Sequence, residues 1–219
     1  MRIVIVEDHL MFREVLRKVC AEDLRHEVVG EAEDGLQAVE VITRTQPELV
    51  LLDLHLPRLD GFQVIERIRQ VIPEIGVLVL SSHCDDYTVF RVERAAVRGF
   101  VDKNTNSVAA LKQAIEAVAA GKPSFSAPFR RLRDLRHRDP NAFDKVLGNR
   151  ECTILTLVGQ SLRDVEIARR LDISEQTVAT HRLNIVRKLG LENTTELVRY
   201  AREHGFTLVA PQGDGAMLP

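Results

Sequence analysis

Five short apolar runs, rich in Val, Ile and Leu, punctuate the first half of the chain: 2–6, 27–32, 49–53, 76–81 and 99–102. Each is bounded by polar residues and lacks strict alternation, as expected of strands buried on both faces. The intervening segments carry helical periodicity. In the last of them Val108, Leu111, Ile115 and Val118 recur at spacings of three and four, giving one apolar stripe to lay on a sheet. Asp34 with Gln37 reads as a capping box and Ser107 as an N-cap. Strands alternating with helices predict an α/β domain over residues 1–120, five βα units around a parallel sheet with right-handed crossovers.

Beyond Gly121 the periodicity fails. Pro123, Pro128 and Pro140 interrupt it, and Arg130, Arg131, Arg133, Arg136 and Arg138 crowd together, so residues 121–145 read as a linker with at most a short helical turn. Its arginines either meet phosphates or form a solvated face. Four helical stretches follow, 150–159, 164–171, 174–189 and 195–203, making a small all-α unit over residues 146–204, with 205–219 read as a tail. The second and third stretches, joined through Asp172 and Ile173 with Ser174 as N-cap, form a helix-turn-helix. At 100° per residue Val178, Ile185 and Leu189 share the arc facing the core. Gln176, Thr180, Leu183 and Arg187 lie opposite with Ala179 beside them, the face that enters a major groove if the unit binds DNA.

Charge separates the same two halves. Residues 1–120 hold 14 Lys and Arg against 20 Asp and Glu, whereas 121–204 hold 16 against 11. The overall net charge of −2 therefore hides an acidic half and a basic half, an asymmetry that points to nucleic acid as partner of the second. Cys20, Cys84 and Cys152 are far apart in no metal-like spacing, and read as buried small hydrophobes in a reducing compartment. No apolar run approaches a membrane span, so the expectation is a soluble, cytoplasmic protein without membrane association.

The predicted strands end in charge. Glu7 and Asp8 follow the first, Asp53 ends the third and Lys103 follows the fifth. In an open parallel sheet these positions meet in the crevice beyond the carboxyl ends. Glu7, Asp8 and Asp53 form a set of oxygen ligands suited to a hard cation such as Mg²⁺. With the cation and Lys103 offsetting charge, Asp53 is placed as an oxygen nucleophile toward a phosphoryl group, and Ser81, ending the fourth strand, as a hydrogen-bond donor to it. His55 and His83 each lie two residues past a site residue and either govern water access or simply face solvent. His9 is read as opening the first helix.

The strings IVIVEDH, LVLLDLHLPRLDGF, VLVLSS and GFVDK resemble the receiver domain of bacterial two-component response regulators across residues 1–120. That resemblance implies a flavodoxin-like, doubly wound sheet of order 2-1-3-4-5. It also implies phosphorylation of Asp53 by a sensor histidine kinase, Mg²⁺ held by Glu7, Asp8, Asp53 and the backbone carbonyl of His55, phosphoryl contacts from Ser81 and Lys103, and Phe100 as switch aromatic. Over residues 147–204, NRECTILTLVGQ and EIARRLDISEQTVATHRLNIVRKLGLENTTELV are similar to the LuxR-type domain of the NarL/FixJ class. There the resemblance implies that Ala179, Thr180 and Leu183 approach bases while His181, Asn184 and Lys188 lie near the backbone. Ala179 and Leu183 depart from the polar residues common at those positions, and Gly148, Ser161 and Arg163 depart at helix ends.

The reading is a transcription regulator in which phosphorylation at Asp53 shifts homodimerisation and binding to promoter DNA. The last helix, through Leu197, Val198 and Ala201, is expected at the dimer contact. The rival readings are a phosphatase with an aspartyl nucleophile, weakened by His55 where such enzymes carry a second Asp, and a DNA-binding protein that works without phosphorylation.

Overall fold

The computed structural model describes residues 1–104 and 107–207. Contacts divide the chain into two units, Met1–Cys84 with Arg91–Arg131, and Asp85–Phe90 with the chain from Leu132 onward.

In the first unit β1 (Arg2–Val6), β2 (Glu27–Ala32), β3 (Leu49–Asp53), β4 (Gly76–Ser81) and β5 (Gly99–Asp102) occupy the five apolar runs. The order is β2-β1-β3-β4-β5-β6, with every pairing parallel, so the sheet has six strands and not five. The additional β6 is Ser124–Phe125, inside the stretch read as linker. It pairs by backbone alone: the Ser124 amide donates to the Arg98 carbonyl and the Ser126 amide to the Phe100 carbonyl, at 3.1 and 2.9 Å. A Cβ on Gly99 would lie 2.3 Å from the Ser124 oxygen, so only glycine at 99 lets β6 approach this closely.

Alternation along the strands divides their side chains between two faces. Ile3, Ile5, Leu49, Leu51, Leu78, Leu80 and Val101 pack with Leu16 of α1 (Leu10–Lys18) and with Leu111 and Ile115 of α5 (Val108–Ala119). Val4, Val6, Val50, Leu52, Val77, Val79 and Phe100, of opposite phase, are equally buried. Both faces are thus dry, which is why the strands carry continuous apolar runs. The N-caps form at the expected residues: Asp34 accepts from the Leu36 and Gln37 amides to start α2 (Gly35–Thr45), although the Gln37 side chain returns to the Glu33 amide. Asp60 and Gln63 make a reciprocal capping box for α3 (Gly61–Val71), and Ser107 caps α5. The segment α4 (Asp86–Arg94) spans the division between units.

The 121–145 stretch is largely ordered helix: α6 runs Ala127–Arg138 and α7 Phe143–Val146. Pro128 stands in the first turn of α6, where its missing N–H costs nothing, and Pro140 lies beyond the last turn. Arg136 is buried, with Nη1 2.7 Å from Asp144, and Lys145 Nζ donates to the His137 and Asp139 carbonyls at 2.8 and 2.6 Å, closing the helix C-terminus. Arg136 is therefore structural and unavailable to phosphates. Arg130, Arg131 and Arg138 remain exposed.

The second unit contains α8 (Asn149–Gly159), α9 (Asp164–Leu171), α10 (Glu175–Lys188) and α11 (Thr194–Glu203) around a core of Ile154, Leu155, Leu157, Ile167, Val178, Ile185, Leu197 and Ala201, joined by Tyr87, Phe143 and Phe206. Two starts lack a capping side chain, as Gly148 and Arg163 foreshadow. Glu151 and Glu166 compensate by reaching back to those amides at 2.8 and 2.7 Å. Ser161 adopts φ 64°, the left-handed region that favours glycine. Leu197 and Ala201 are fully buried in their own unit, one helical turn apart, so they are core residues and not dimer contacts; only Val198 of that trio is partly open. Phe206 is likewise buried, so the chain does not become a tail at 205; residues 208–219 lie outside the described part. Cys20 is buried, its thiol pushed up to about 12 by desolvation, while Cys84 and Cys152 are half-buried rather than fully enclosed. Among the described residues no helix is long and apolar enough to cross a membrane.

The phase of α10 gives a direct test. Ile185 is fully buried and Leu183 is 59% exposed. Ile185→Ala should cost about 2–5 kcal/mol of unfolding free energy through a core cavity. Leu183→Ala should stay within about 0.5 kcal/mol of wild type. Chemical denaturation of the two variants checks the ranking, and the reverse order would mean that the helix phase is wrong.

Candidate functional site

Parallel register carries three strand ends to one edge. Val6 of β1 pairs with Leu52 of β3, and Asp53 with Leu80 of β4, so Glu7 and Asp53 emerge side by side where strand order reverses between β1 and β3. From beyond β5, Lys103 reaches both: its Nζ lies 2.7 Å from Glu7 Oε2 and 2.7 Å from Asp53 Oδ2. Glu7 is fully buried and Asp53 nearly so, whereas the Asp8 side chain is 27% exposed at the rim. Ligand atoms of Glu7, Asp8, His9 and Asp53 lie within 4.8 Å of one another. That donor set, dominated by carboxylate oxygens, fits Mg²⁺.

Electrostatics explain why these acids tolerate burial. Desolvation raises the pKa of Glu7, the neighbouring Asp53 raises it further, and the Lys103 ammonium opposes both through its hydrogen bond and its charge. The other Asp53 oxygen, Oδ1, accepts from the His55 amide at 3.1 Å, which orients the carboxylate at the turn after β3. That turn is tied down further on: Arg58 pairs with Asp34, the cap of α2, and the Gly61 amide donates to the Leu54 carbonyl.

The cleft above these groups is lined by Glu7, Asp53 and Lys103 with His9, Leu10, Phe12, His55, Ser82 and His83. The His55 and His83 rings pack together with centroids 4.2 Å apart, so the two histidines form a pair at the mouth. Ser81 does not line the cleft: it is fully buried, and its Oγ accepts from the His83 amide at 3.1 Å. Phe100 is also fully buried, two residues before Asp102.

Three contributors escape a reading by strand ends. Phe12 sits with its ring centroid 4.8 Å from Lys103 Nζ, holding the ammonium from the side. Arg13 donates to the Glu7 carbonyl at 2.5 Å and reaches Glu31 at 3.5 Å, bracing the edge between β1 and β2. His9 caps nothing with its side chain but places Nδ1 2.8 Å from Asp8. A helix stripe just past an acidic pair was the available signal for the first two.

In the second unit the predicted nucleic-acid face separates by exposure. Gln176, Thr180, Leu183 and Arg187 are exposed, Ala179, His181 and Asn184 half-buried, and Val178, Ile185 and Val186 buried. Thr180 turns its hydroxyl back to the Gln176 carbonyl at 2.8 Å. Lys188 is engaged: its Nζ lies 2.7 Å from Glu151, the residue that closes the start of α8. Arg182, on the flank, pairs with Asp164 at the start of α9 and fixes the two helices of the helix-turn-helix to each other.

Residues 3–116 match the model of the response regulator receiver domain, and residues 145–201 that of bacterial regulatory proteins of the luxR family. Among curated relatives, the Bacillus subtilis transcriptional regulatory protein YhcZ is 34% identical, covering 94% of this chain and 97% of its own. The Brevibacillus brevis transcriptional regulatory protein DegU is 30% identical over 95% of each chain. Among solved structures, RcsB from Salmonella enterica serovar Typhimurium, bound to a promoter in the presence of the phosphomimetic BeF3⁻, superposes with TM-score 0.65 at 25% identity, covering 93% of this chain and 98% of that one. YhcZ and DegU are both named as transcriptional regulatory proteins.

The pocket predicts a pH-dependent penalty for losing its cation. Lys103→Met withdraws the hydrogen bond and the charge that hold Glu7 down, so its pKa rises further. A carboxyl whose folded pKa lies above its unfolded value favours folding most when protonated. The variant's stability deficit is therefore smallest below about pH 4 and grows as pH rises past the ordinary carboxylate range toward 7. Metal-free urea unfolding across that range measures it, and a deficit independent of pH would contradict the electrostatic account.

Proposed function

We infer a phosphorylation-controlled transcription regulator, because the chain belongs to the response regulators: it joins a receiver domain to a LuxR-type DNA-binding domain. The observation that carries the reading is the Lys103 ammonium bridging Glu7 and Asp53 at the switch point of the sheet. On this reading the receiver spans 1–120, the connection 121–145 and the DNA-binding domain 146–204.

Asp53 is the phosphoacceptor. A carboxylate oxygen attacks the phosphorus of a phosphodonor, taken to be the phosphohistidine of a sensor kinase; the phosphorus–nitrogen bond breaks and the imidazole leaves with its electron pair. Glu7, Asp8, Asp53 and the His55 carbonyl would hold Mg²⁺, which when bound supplies positive charge beside the transferring phosphoryl oxygens. Lys103 offers its ammonium to those oxygens in place of the Asp53 oxygen it now holds. Ser81 turns its hydroxyl hydrogen toward the same oxygens, and Phe100 answers that movement. The added charge and acceptors then bias the receiver toward association as a homodimer.

On DNA, α10 enters the major groove with Gln176, Ala179, Thr180 and Leu183 toward base edges. Leu183 contributes apolar contact of the kind that reads a thymine methyl. Arg187 meets the phosphate backbone, with His181 and Asn184 nearby. Lys188 is already paired with Glu151, which offsets part of its charge, so its share of the binding is smaller than its charge suggests. A dimer would read paired half-sites.

Incubation of the wild-type chain with acetyl phosphate and Mg²⁺ should add the mass of one phosphoryl group, and Asp53→Asn should add none. A variant that still gains that mass removes Asp53 from the role. On duplex DNA, Thr180→Ala or Leu183→Ala should change discrimination between related sequences by about 1–3 kcal/mol where a base contact is lost. Arg187→Ala should instead weaken all sequences and flatten the salt dependence. Titrations on specific and random duplexes at two salt concentrations separate these outcomes, and uniform weakening by Leu183→Ala would withdraw it from base readout.

A further inference from the structure

We propose that Phe129, in the first turn of α6, is a positioning residue that couples Phe100 to the connecting helix, so that a change at the Asp53 site is delivered directly into the segment leading to the DNA-binding domain. The proposal rests on the reading of Asp53 as phosphoacceptor.

Register and alternation put the relevant side chains together. Val79 pairs with Phe100 and Ser81 with Asp102, and residues two apart on a strand share a face, so Ser81 and Phe100 lie on the same face of the sheet. That face is opposite the one where Leu78, Leu80 and Val101 meet α1 and α5. Ser81 and Phe100 are both at 0% exposure.

What covers Phe100 is the connection itself. The Phe129 ring lies 5.0 Å from that of Phe100, centroid to centroid, and stacks on Phe125 of β6 at 4.9 Å. Phe129 is itself fully buried. The backbone is fastened at the same place, since Phe100 pairs with Phe125 and the Ser126 amide donates to the Phe100 carbonyl at 2.9 Å. One residue of β5 thus holds the connecting segment by its ring and its carbonyl together.

Ser81 is fully buried and does not line the cleft beside Asp53, so for its hydroxyl to meet a phosphoryl there it must turn out of its present position, where its Oγ accepts from the His83 amide. Interiors are packed at crystal density, so the volume it vacates is refilled by a neighbour on the same face. If Phe100 moves to fill it, the contact with Phe129 is altered, and the start of α6 loosens or shifts. Placing this aromatic contact within the first turn of α6 makes the connection a responding part and not a passive tether.

The test uses the full chain, phosphorylated with acetyl phosphate and Mg²⁺, with uptake read by intact mass and hydrogen–deuterium exchange read on peptides covering 124–135. In wild type, phosphorylation should raise exchange several-fold at the Ser126 and Arg130 amides, which donate to the Phe100 and Ser126 carbonyls. Phe129→Leu, which keeps an apolar plug, and Phe129→Ala should take up the phosphoryl as wild type does, yet show equal exchange there in both states. Should the alanine variant fold poorly, the leucine variant carries the comparison. Unchanged exchange at these two amides in phosphorylated wild type, or a wild-type response in Phe129→Leu, overturns the coupling. Failure of Asp53 to take up phosphoryl at all appears first, in the mass, and overturns the underlying reading together with the coupling built on it.

Discussion

One ammonium group holds the carboxyl edge of the sheet together. Lys103 lies 96 residues from Glu7 and 50 from Asp53 in sequence, yet its Nζ is within hydrogen-bond distance of both. Burial and the neighbouring Asp53 push the Glu7 carboxyl up, and the shared ammonium opposes both through its hydrogen bond and its charge. The arrangement needs all of the parallel topology, because only strands running in one direction deliver their C-terminal charges to one edge. It also leaves the edge poised. A centre that balances two carboxylates with one movable ammonium is suited to accept a divalent cation and a transferring phosphoryl, because both replace interactions already in place.

The second unit depends on a simpler constraint, the phase of one helix. Val178, Ile185 and Val186 bury one side of α10 in the core, which forces Gln176, Thr180, Leu183 and Arg187 outward. Polar satisfaction then narrows what that outward side can offer. Lys188 is drawn to Glu151 and Arg182 to Asp164, so two of the basic side chains on the helix stabilise its seating. What remains is less charged and more apolar than a count of basic residues suggests, with Leu183 exposed at its middle. On the proposed DNA face, a thymine methyl would be the apolar partner of this exposed leucine.

The parts legible in the sequence were those set by local periodicity. Five strands begin and end at the expected residues because each is buried on both faces, and Asp34, Ser107 and Ser174 cap the helices their side chains can reach. Glu7, Asp53 and Lys103 were legible because topology alone sends strand ends to one crevice. The rest depends on tertiary partners. Ser124–Phe125 is too short to show a period and becomes a strand only because Gly99 admits it. Pro128 resembled a breaker but starts a helix. Arg136 is indistinguishable from its neighbours until Asp144 is beside it, and the spacing of four between Leu197 and Ala201 suits a contact with a partner chain as well as the unit's own core. Lys188 looked available because Glu151, on a different helix, gave no local sign of claiming it.

The central claim is that the state of the Asp53 pocket sets the affinity of the chain for DNA. Selection of a duplex from a random library, followed by titration of that duplex with the full chain in Mg²⁺ with and without beryllofluoride, tests it most directly. The account predicts tighter binding with beryllofluoride by a coupling of about 1–3 kcal/mol, lost in Asp53→Asn. Equal affinity in the two states of the wild-type chain, with beryllofluoride shown to be bound, would contradict it.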